Sequence, residues 1–190
     1  LLQHLRDVNV RTLQVPLAAI YRILLMLPEK ATLPELQAML PDYPLQQLSS
    51  GHLPPADGFY PIRGVVLFGL AEAERSAVYA DYLKEGAMDA IGKMMQVSHD
   101  GDRVSSYSKD WVAAPFRARV DNAYILERLA DLESGMPERV IRSQLISQPG
   151  SYACSLPEID HMVDIALRTP GVSGAQLAGA GLGGCMMVLC

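Results

Sequence analysis

An α+β fold is the expectation for this chain, on three observations. Residues 17–27, LAAIYRILLML, are almost continuously apolar between Pro16 and Pro28, too long for a strand and rich in Leu and Ala, so they predict a buried helix. At the other end, two β-like segments, 172–178 and 185–190, flank a six-residue run with four glycines. Hydrophobic residues make up 49% of the 190 and charged residues 19%, enough apolar surface for a core and too little charge for disorder.

Between these ends the elements follow from local signals. Thr32 and Glu35 form a capping box that opens a short helix ending near Pro41. Residues 41–60 carry four prolines and two glycines and read as loop, Leu48-Ser49-Ser50-Gly51 among them. The VVLF run within 63–68 reads as strand. Helices are expected over 71–83, with Glu72, Glu74, Arg75 and Lys84 on a wet face, and over 88–97, with Ile91, Met94 and Met95 inward; Gly86 separates them into an αα-hairpin. Val120, Ala123, Leu126, Leu129 and Leu132 recur every three residues and predict a further helix. Ser155 and Glu158 suggest a second capping box, followed by Ile159, Met162, Val163, Ala166 and Leu167 on one face and a stop at Thr169-Pro170-Gly171.

Charge and cysteine usage narrow the function. A net charge of −5 and a pI near 5.3 argue against nucleic acid or an anionic membrane as partner. Apolar runs fall short of the roughly 20 residues that cross a bilayer. Cys154, Cys185 and Cys190 form no C-x-x-C pair, which predicts free thiols in a cytoplasmic setting, with Cys185 and Cys190 as small buried hydrophobes. His4, His52, His99 and His161 lack ligand spacing, and no zinc site is expected; Asp100 and Asp102 lack the later ligands of a calcium loop. The Met94-Met95 and Met186-Met187 pairs read as core, and Arg6, Asp7 and Arg75 as ion-paired surface.

The glycine run, Gly179-Ala180-Gly181-Leu182-Gly183-Gly184, matches the G-x-G-x-x-G spacing of dinucleotide sites, but those sites need a helix next and CMMVLC reads as strand. A tight hairpin, or a backbone brought close to a ligand, remains. Wider context bears on the choice. Ser155-Leu156-Pro157-Glu158-Ile159-Asp160, Pro170-Gly171-Val172-Ser173-Gly174-Ala175 and the glycine run together resemble the C-terminal part of galactokinases, in the GHMP kinase superfamily, where a Ser-x-Pro-Glu-Leu-Asp helix precedes a G-x-G-x-G-G loop. Gly92-Lys93-Met94-Met95-Gln96-Val97-Ser98-His99-Asp100 resembles that family's Gly-x-Leu-Met-x-x-Ser-His segment, after a Glu-x-x-Arg pattern at Glu72–Arg75.

The resemblance covers 68–104 and 155–190 and is thin over 1–67. It implies a GHMP kinase C-terminal domain over 1–190: an antiparallel sheet of ferredoxin-like split β-α-β type, helices on one face, and a helical insertion at about 105–150 that holds Trp111. Leu182 stands where the family often has an aromatic. The resemblance further implies transfer of the ATP γ-phosphoryl group, with Mg²⁺, to a sugar hydroxyl in a full-length enzyme. Gly179, Ala180, Gly181, Leu182, Gly183 and Gly184 would approach the nucleotide, and Ser98, His99 and Asp100 would lie toward the substrate end, although a solvent-facing helix cap suits His99 equally. The family's phosphate loop, catalytic Asp and sugar motif belong to an N-terminal domain with no counterpart here; Pro54 and Pro55 spoil Leu48-Ser49-Ser50-Gly51 as a substitute. No catalytic residue is therefore expected within this chain, which should be inactive alone, hold neither ATP nor Mg²⁺ stably, and take its own N-terminal domain as partner or self-associate through the face left bare. The competing expectation is a non-catalytic, kinase-like sugar-sensing or interaction module.

Overall fold

The computed structural model describes residues 2–49, 55–179 and 184–190. In chain order the elements are α1 (Val10–Leu13), α2 (Leu17–Met26), β1 (Lys30–Ala31), α3 (Leu33–Met39), α4 (Leu45–Ser49), β2 (Tyr60–Pro61), α5 (Ile62–Glu85), α6 (Met88–Asp102), β3 (Ser105–Tyr107), β4 (Ala113–Pro115), α7 (Asn122–Glu133), α8 (Pro137–Arg142), α9 (Pro157–Leu167), β5 (Gly174–Ala178) and β6 (Cys185–Leu189). The class is α+β, and every strand pairing is antiparallel: β1 with β2, β3 with β4, β5 with β6. Among the described residues these strands form three separate ribbons rather than one sheet. At β5 the reason is visible: its amide edge is met by α6, where the Leu177 N–H donates to His99 Nδ1, so helix stands where a further strand would pair.

The longest apolar run does become a buried helix. Ile20, Tyr21 and Leu24 of α2 pack with Leu67 and Leu70 of α5, Ile125 and Leu129 of α7, and Leu145. A second cluster joins Ile159 and Val163 of α9 to Ala175 and Leu177 of β5, and a third gathers Ile91, Met94 and Met95 of α6 with Val78, Tyr79 and Tyr82 of α5. Burying each of these large side chains contributes about 2 kcal/mol.

Several local expectations need correcting. The VVLF run is helix, because α5 begins at Ile62: Gly64, Leu67 and Ala71 recur at helical spacing on its buried face, and Arg63 is drawn under the end of α2, donating to the carbonyls of Leu24, Leu25 and Leu27. Residues 45–49 form one helical segment inside the expected loop. The Thr32–Glu35 capping box is present, with the Thr32 N–H donating to Glu35 at 2.7 Å. Its expected counterpart at Ser155 is not. Pro157 takes the first helical position of α9, which leaves Leu156 at the cap with no side-chain bond. Within α9 the inward face includes Asp160 and excludes Met162, and within α7 Ile125 turns inward while Leu126 is exposed. Cys185 and Met187 are exposed on β6, and Cys190 just beyond it, because of this strand only Met186 and Leu189 pack against the core clusters.

Two polar knots hold the insertion region. Asp131 of α7 accepts from Arg139 Nε at 2.6 Å and Arg142 at 2.8 Å, tying α8 to α7. The β3–β4 ribbon lies on α9: Tyr107 stacks on His161 at 4.4 Å between centroids, Trp111 meets the same imidazole edge-on at 5.0 Å, and the Arg168 guanidinium covers the indole at 4.2 Å. His161 is half-buried by this pile.

Candidate functional site

The β5–β6 ribbon is a hairpin closed by the pair Ala178–Cys185, so its connection is the glycine run. Ala180, Gly181, Leu182 and Gly183 lie outside the described residues. Gly179 opens the connection at φ +77°, a left-handed conformation that side chains disfavour. Gly184 at the far end has a different character. Its φ is not in the left-handed region, and a Cβ placed there would meet only Ala178 O at 3.8 Å, so nothing within the described chain requires glycine. A Cβ on Gly179 would meet nothing within 4 Å. Among the described residues, then, nothing crowds either end of the connection.

The hairpin is seated on α6 by a glycine-on-glycine contact. A Cβ on Gly92 would sit 2.1 Å from Ser173 O, and one on Gly174 would sit 2.5 Å from Gly92 Cα. Nearly two turns further along α6, Ser98 and His99 face the same strand. His99 is 1% exposed. Its Nδ1 accepts from the Leu177 N–H at 3.3 Å, which puts the ring proton on Nε2, and Nε2 faces Asp160 Oδ1 at 3.3 Å. The approach is loosely aligned, and neither atom has another partner among the described residues. Asp160 Oδ2 accepts from the N–H groups of Val104 and Ser105 at 2.9 and 2.7 Å. Burial raises the Asp160 pKa, but hydrogen bonds from His99, Ser155 and these two amides outweigh it and hold the carboxyl below its usual range. His99 is thus neither a solvent-facing cap nor an open substrate contact. It is a buried post joining α6, β5 and α9, and it holds β5 at Leu177, two residues before Gly179.

Ser98 lines a cleft between α5, α6 and β5. Asp100 does not join it; its carboxylate accepts from Arg103 Nε at 3.2 Å, while burial pushes its pKa upward. Arg75, expected on the surface, is buried beneath the cleft and paired with Glu72. Sequence reasoning also missed Asp160, although it closes the Ser-Leu-Pro-Glu-Ile-Asp motif; the signal was its spacing from Ile159 and Val163 on the buried face. Among the described residues no group of three or more His, Cys, Asp or Glu side chains is placed to hold a metal ion, and no helix is long and apolar enough to cross a membrane.

At the end of α6, the Cys154 thiol donates to Asp102 Oδ1 at 3.2 Å. Burial pushes the Asp102 carboxyl up to about 6 and the Cys154 thiol, also facing that carboxylate, up to about 12. A carboxyl whose folded pKa is raised stabilises the fold fully below its unfolded value of 3.8, and that contribution is lost as pH rises through about 6. Asp102→Asn should accordingly gain stability relative to the parent between about pH 4 and about pH 7, measured by guanidinium unfolding across that range. A pH-independent difference would show that Asp102 is not titrating there.

Residues 126–190, from α7 through the glycine hairpin, match the family model described as GHMP kinases C terminal. A galactokinase from Roseiflexus sp. (strain RS-1) is 33% identical over 117 residues, 53% of this chain and 30% of that protein. The galactokinases of Homo sapiens and Bos taurus are each 47% identical over 38 residues, 20% of this chain and 10% of theirs. The chain thus spans 30% or less of the length of these relatives. No solved structure matches it. Residues 126–190 are thus similar to the C-terminal domain of GHMP kinases, and the chain that carries them is galactokinase-like.

Proposed function

We propose that this chain forms one wall of a sugar-kinase cleft, in which the γ-phosphoryl group of ATP passes to a sugar hydroxyl with Mg²⁺ present. In that transfer the bond from the γ-phosphorus to the ADP oxygen breaks, a bond to the sugar oxygen forms, and the hydroxyl proton leaves. Such chemistry needs positioning and charge neutralisation more than covalent help. The chain's part is the hairpin turn. Gly179 and Gly184 would let main-chain N–H groups reach the nucleotide phosphates, with Gly181 and Gly183 of the same run, while His99 fixes the strand leading into the turn. The observation that carries this reading is Gly184, a glycine that neither φ nor any neighbour in the described chain requires.

The catalytic base and the phosphate loop are assigned to a separate N-terminal domain, so the chain by itself is inactive and binds ATP weakly. A cytoplasmic setting and a role in carbohydrate metabolism complete the reading; the three free thiols fit a reducing compartment.

Titration of the ¹⁵N-labelled chain with ATP and Mg²⁺ tests it. The expected result is a dissociation constant weaker than about 1 mM, since half the contacts are missing, with amide shifts concentrated at Gly179, Gly184 and the residues between them. No ATP consumption is expected with galactose present. Shifts confined to other surfaces, or micromolar binding elsewhere, would overturn the assignment.

A further inference from the structure

The imidazole of His99 stands between two helices and a strand, and each ring nitrogen has a different task. Nδ1 accepts from the Leu177 N–H of β5 at 3.3 Å, which leaves the ring proton on Nε2, facing Asp160 Oδ1 of α9 at 3.3 Å. The bond to β5 is made by a lone pair and needs the neutral ring. The contact to α9 is loosely aligned. Both side chains are fully buried, yet neither Nε2 nor Asp160 Oδ1 completes a hydrogen bond among the described residues. Buried polar atoms are normally paired, so an orphan donor facing an orphan acceptor marks a pair held short of its strongest bond. A second proton on the ring would turn that contact into a charge-assisted one. The same proton lands on Nδ1, where it meets the Leu177 N–H, and two donors do not bond each other.

The charged neighbours of the ring are acidic. Three carboxylates interact with it: Asp160 from α9, and Asp100 and Asp102 from its own helix. Arg103, just past α6, is committed to Asp100 and Asp164. α5 brings Glu72 and Arg75, which pair with each other and act on Asp102. β5, Gly174–Ala178, carries no titratable side chain. We propose that His99 is an acid-operated latch on β5. Neutral, it holds the strand to α6 at Leu177. Protonated, it closes on Asp160, drops the Leu177 amide and frees the end of β5 two positions before Gly179, whose φ of +77° opens the turn. Gly92 and Gly174 stay packed at the other end of the strand, so the release is confined to the turn end. Acid thereby displaces the glycine turn. The consequence for nucleotide binding rests on the phosphotransfer reading; the latch itself does not.

The test follows the ¹⁵N-labelled whole chain from about pH 7.5 to about pH 5, the range in which histidine side chains change charge. Long-range ¹H–¹⁵N spectra report the His99 ring nitrogens, and amide spectra report the strand. At the upper pH the ring should show the Nε2–H tautomer and an Overhauser contact to the Leu177 amide. On acidification Nδ1 should gain a proton. With the same midpoint that contact should vanish and the Leu177, Ala178 and Gly179 amides should shift, while Gly174 and Ala175 stay in place. His99→Gln offers an oxygen to Leu177 and an N–H to Asp160 but takes up no proton, so its Leu177 amide should not move. Asp102→Asn removes the neighbouring carboxyl whose pKa is pushed up to about 6 and should leave the Leu177 shift intact. A ring that stays neutral to about pH 5, a protonated ring that keeps its Leu177 contact, unmatched midpoints, a Leu177 shift that survives in folded His99→Gln, or one that is lost in Asp102→Asn would overturn the proposal. Should His99→Gln fail to fold, the midpoints in the parent chain decide. The ATP titration, run at about pH 7.5 with the latch closed, reports on the ligand of the turn alone, so either reading can fail without the other.

Discussion

Gly92→Ala is expected to be strongly destabilising. A methyl group at that position meets Ser173 O at 2.1 Å and Ser173 C at 2.5 Å, and both are backbone. A flexible side chain could swing aside, but these atoms belong to the entry of β5, whose partner β6 is bonded back by the Ser173 N–H to Leu189 O at 2.8 Å. The helix and the hairpin must separate, which strips Ala175 and Leu177 from α9 and loosens the Leu177 bond to His99. Overpacking in cores costs about 1–3 kcal/mol, and a backbone-to-backbone clash lies at or above the top of that range. Gly174→Ala should behave alike, since the contact is mutual. Gly86→Ala provides the contrast: Gly86 has φ +69° but nothing within 4 Å of a Cβ, so its cost is confined to the left-handed conformation, roughly 1 kcal/mol. Urea unfolding midpoints at constant slope measure all three. Equal losses at Gly86 and Gly92 would refute the close-packing account of the hairpin.

Asp160→Leu is expected to be comparably damaging. The side chain is fully buried and serves three groups at once: the Val104 and Ser105 amides and the imidazole of His99. Leaving a buried donor without its acceptor costs about 1–3 kcal/mol, and Asp160→Leu strands the two amides and the imidazole N–H together. Asp160→Asn keeps an oxygen for the two amides and should cost markedly less. Acidification gives an independent reading. The folded pKa of Asp160 lies below its ordinary value of 3.8, so its contribution is present above that value and is lost as pH falls through the folded one. The acid limb of the parent's stability curve should therefore be steeper than that of Asp160→Asn. Matching acid limbs, or equal costs for Leu and Asn, would contradict the geometry.

What could be read from the chain beforehand depended on whether the deciding interaction was local. The apolar run of α2 is long enough to exclude a strand, and the Thr32–Glu35 box closes within one turn, so both were legible. The paired strands around the glycine run were legible because alternation and turn residues lie side by side. The start of α5 was not: VVLF suits either period, and what settles it is Arg63 reaching the carbonyls at the end of α2, a contact between distant parts of the chain. Of the candidate site, Gly92, Ser98, His99 and the glycine turn were picked out, but the roles of Gly92 and His99 were hidden. A histidine and an aspartate are surface residues by default. Only the folded arrangement shows His99 and Asp160 facing each other in the interior. Arg75 was misread for the same reason, its acceptors being carbonyls contributed by Ile146 and Gln148.

The pile of Tyr107, His161, Trp111 and Arg168 has a practical corollary. The chain has one tryptophan, so its emission comes from a single place, the seam where the β3–β4 ribbon rests on α9. Stripping the guanidinium and imidazole from that indole would alter its brightness and wavelength before any core helix melts. Fluorescence and circular dichroism then watch different events in the same heating curve, and the lag between them measures how firmly the ribbon is fastened.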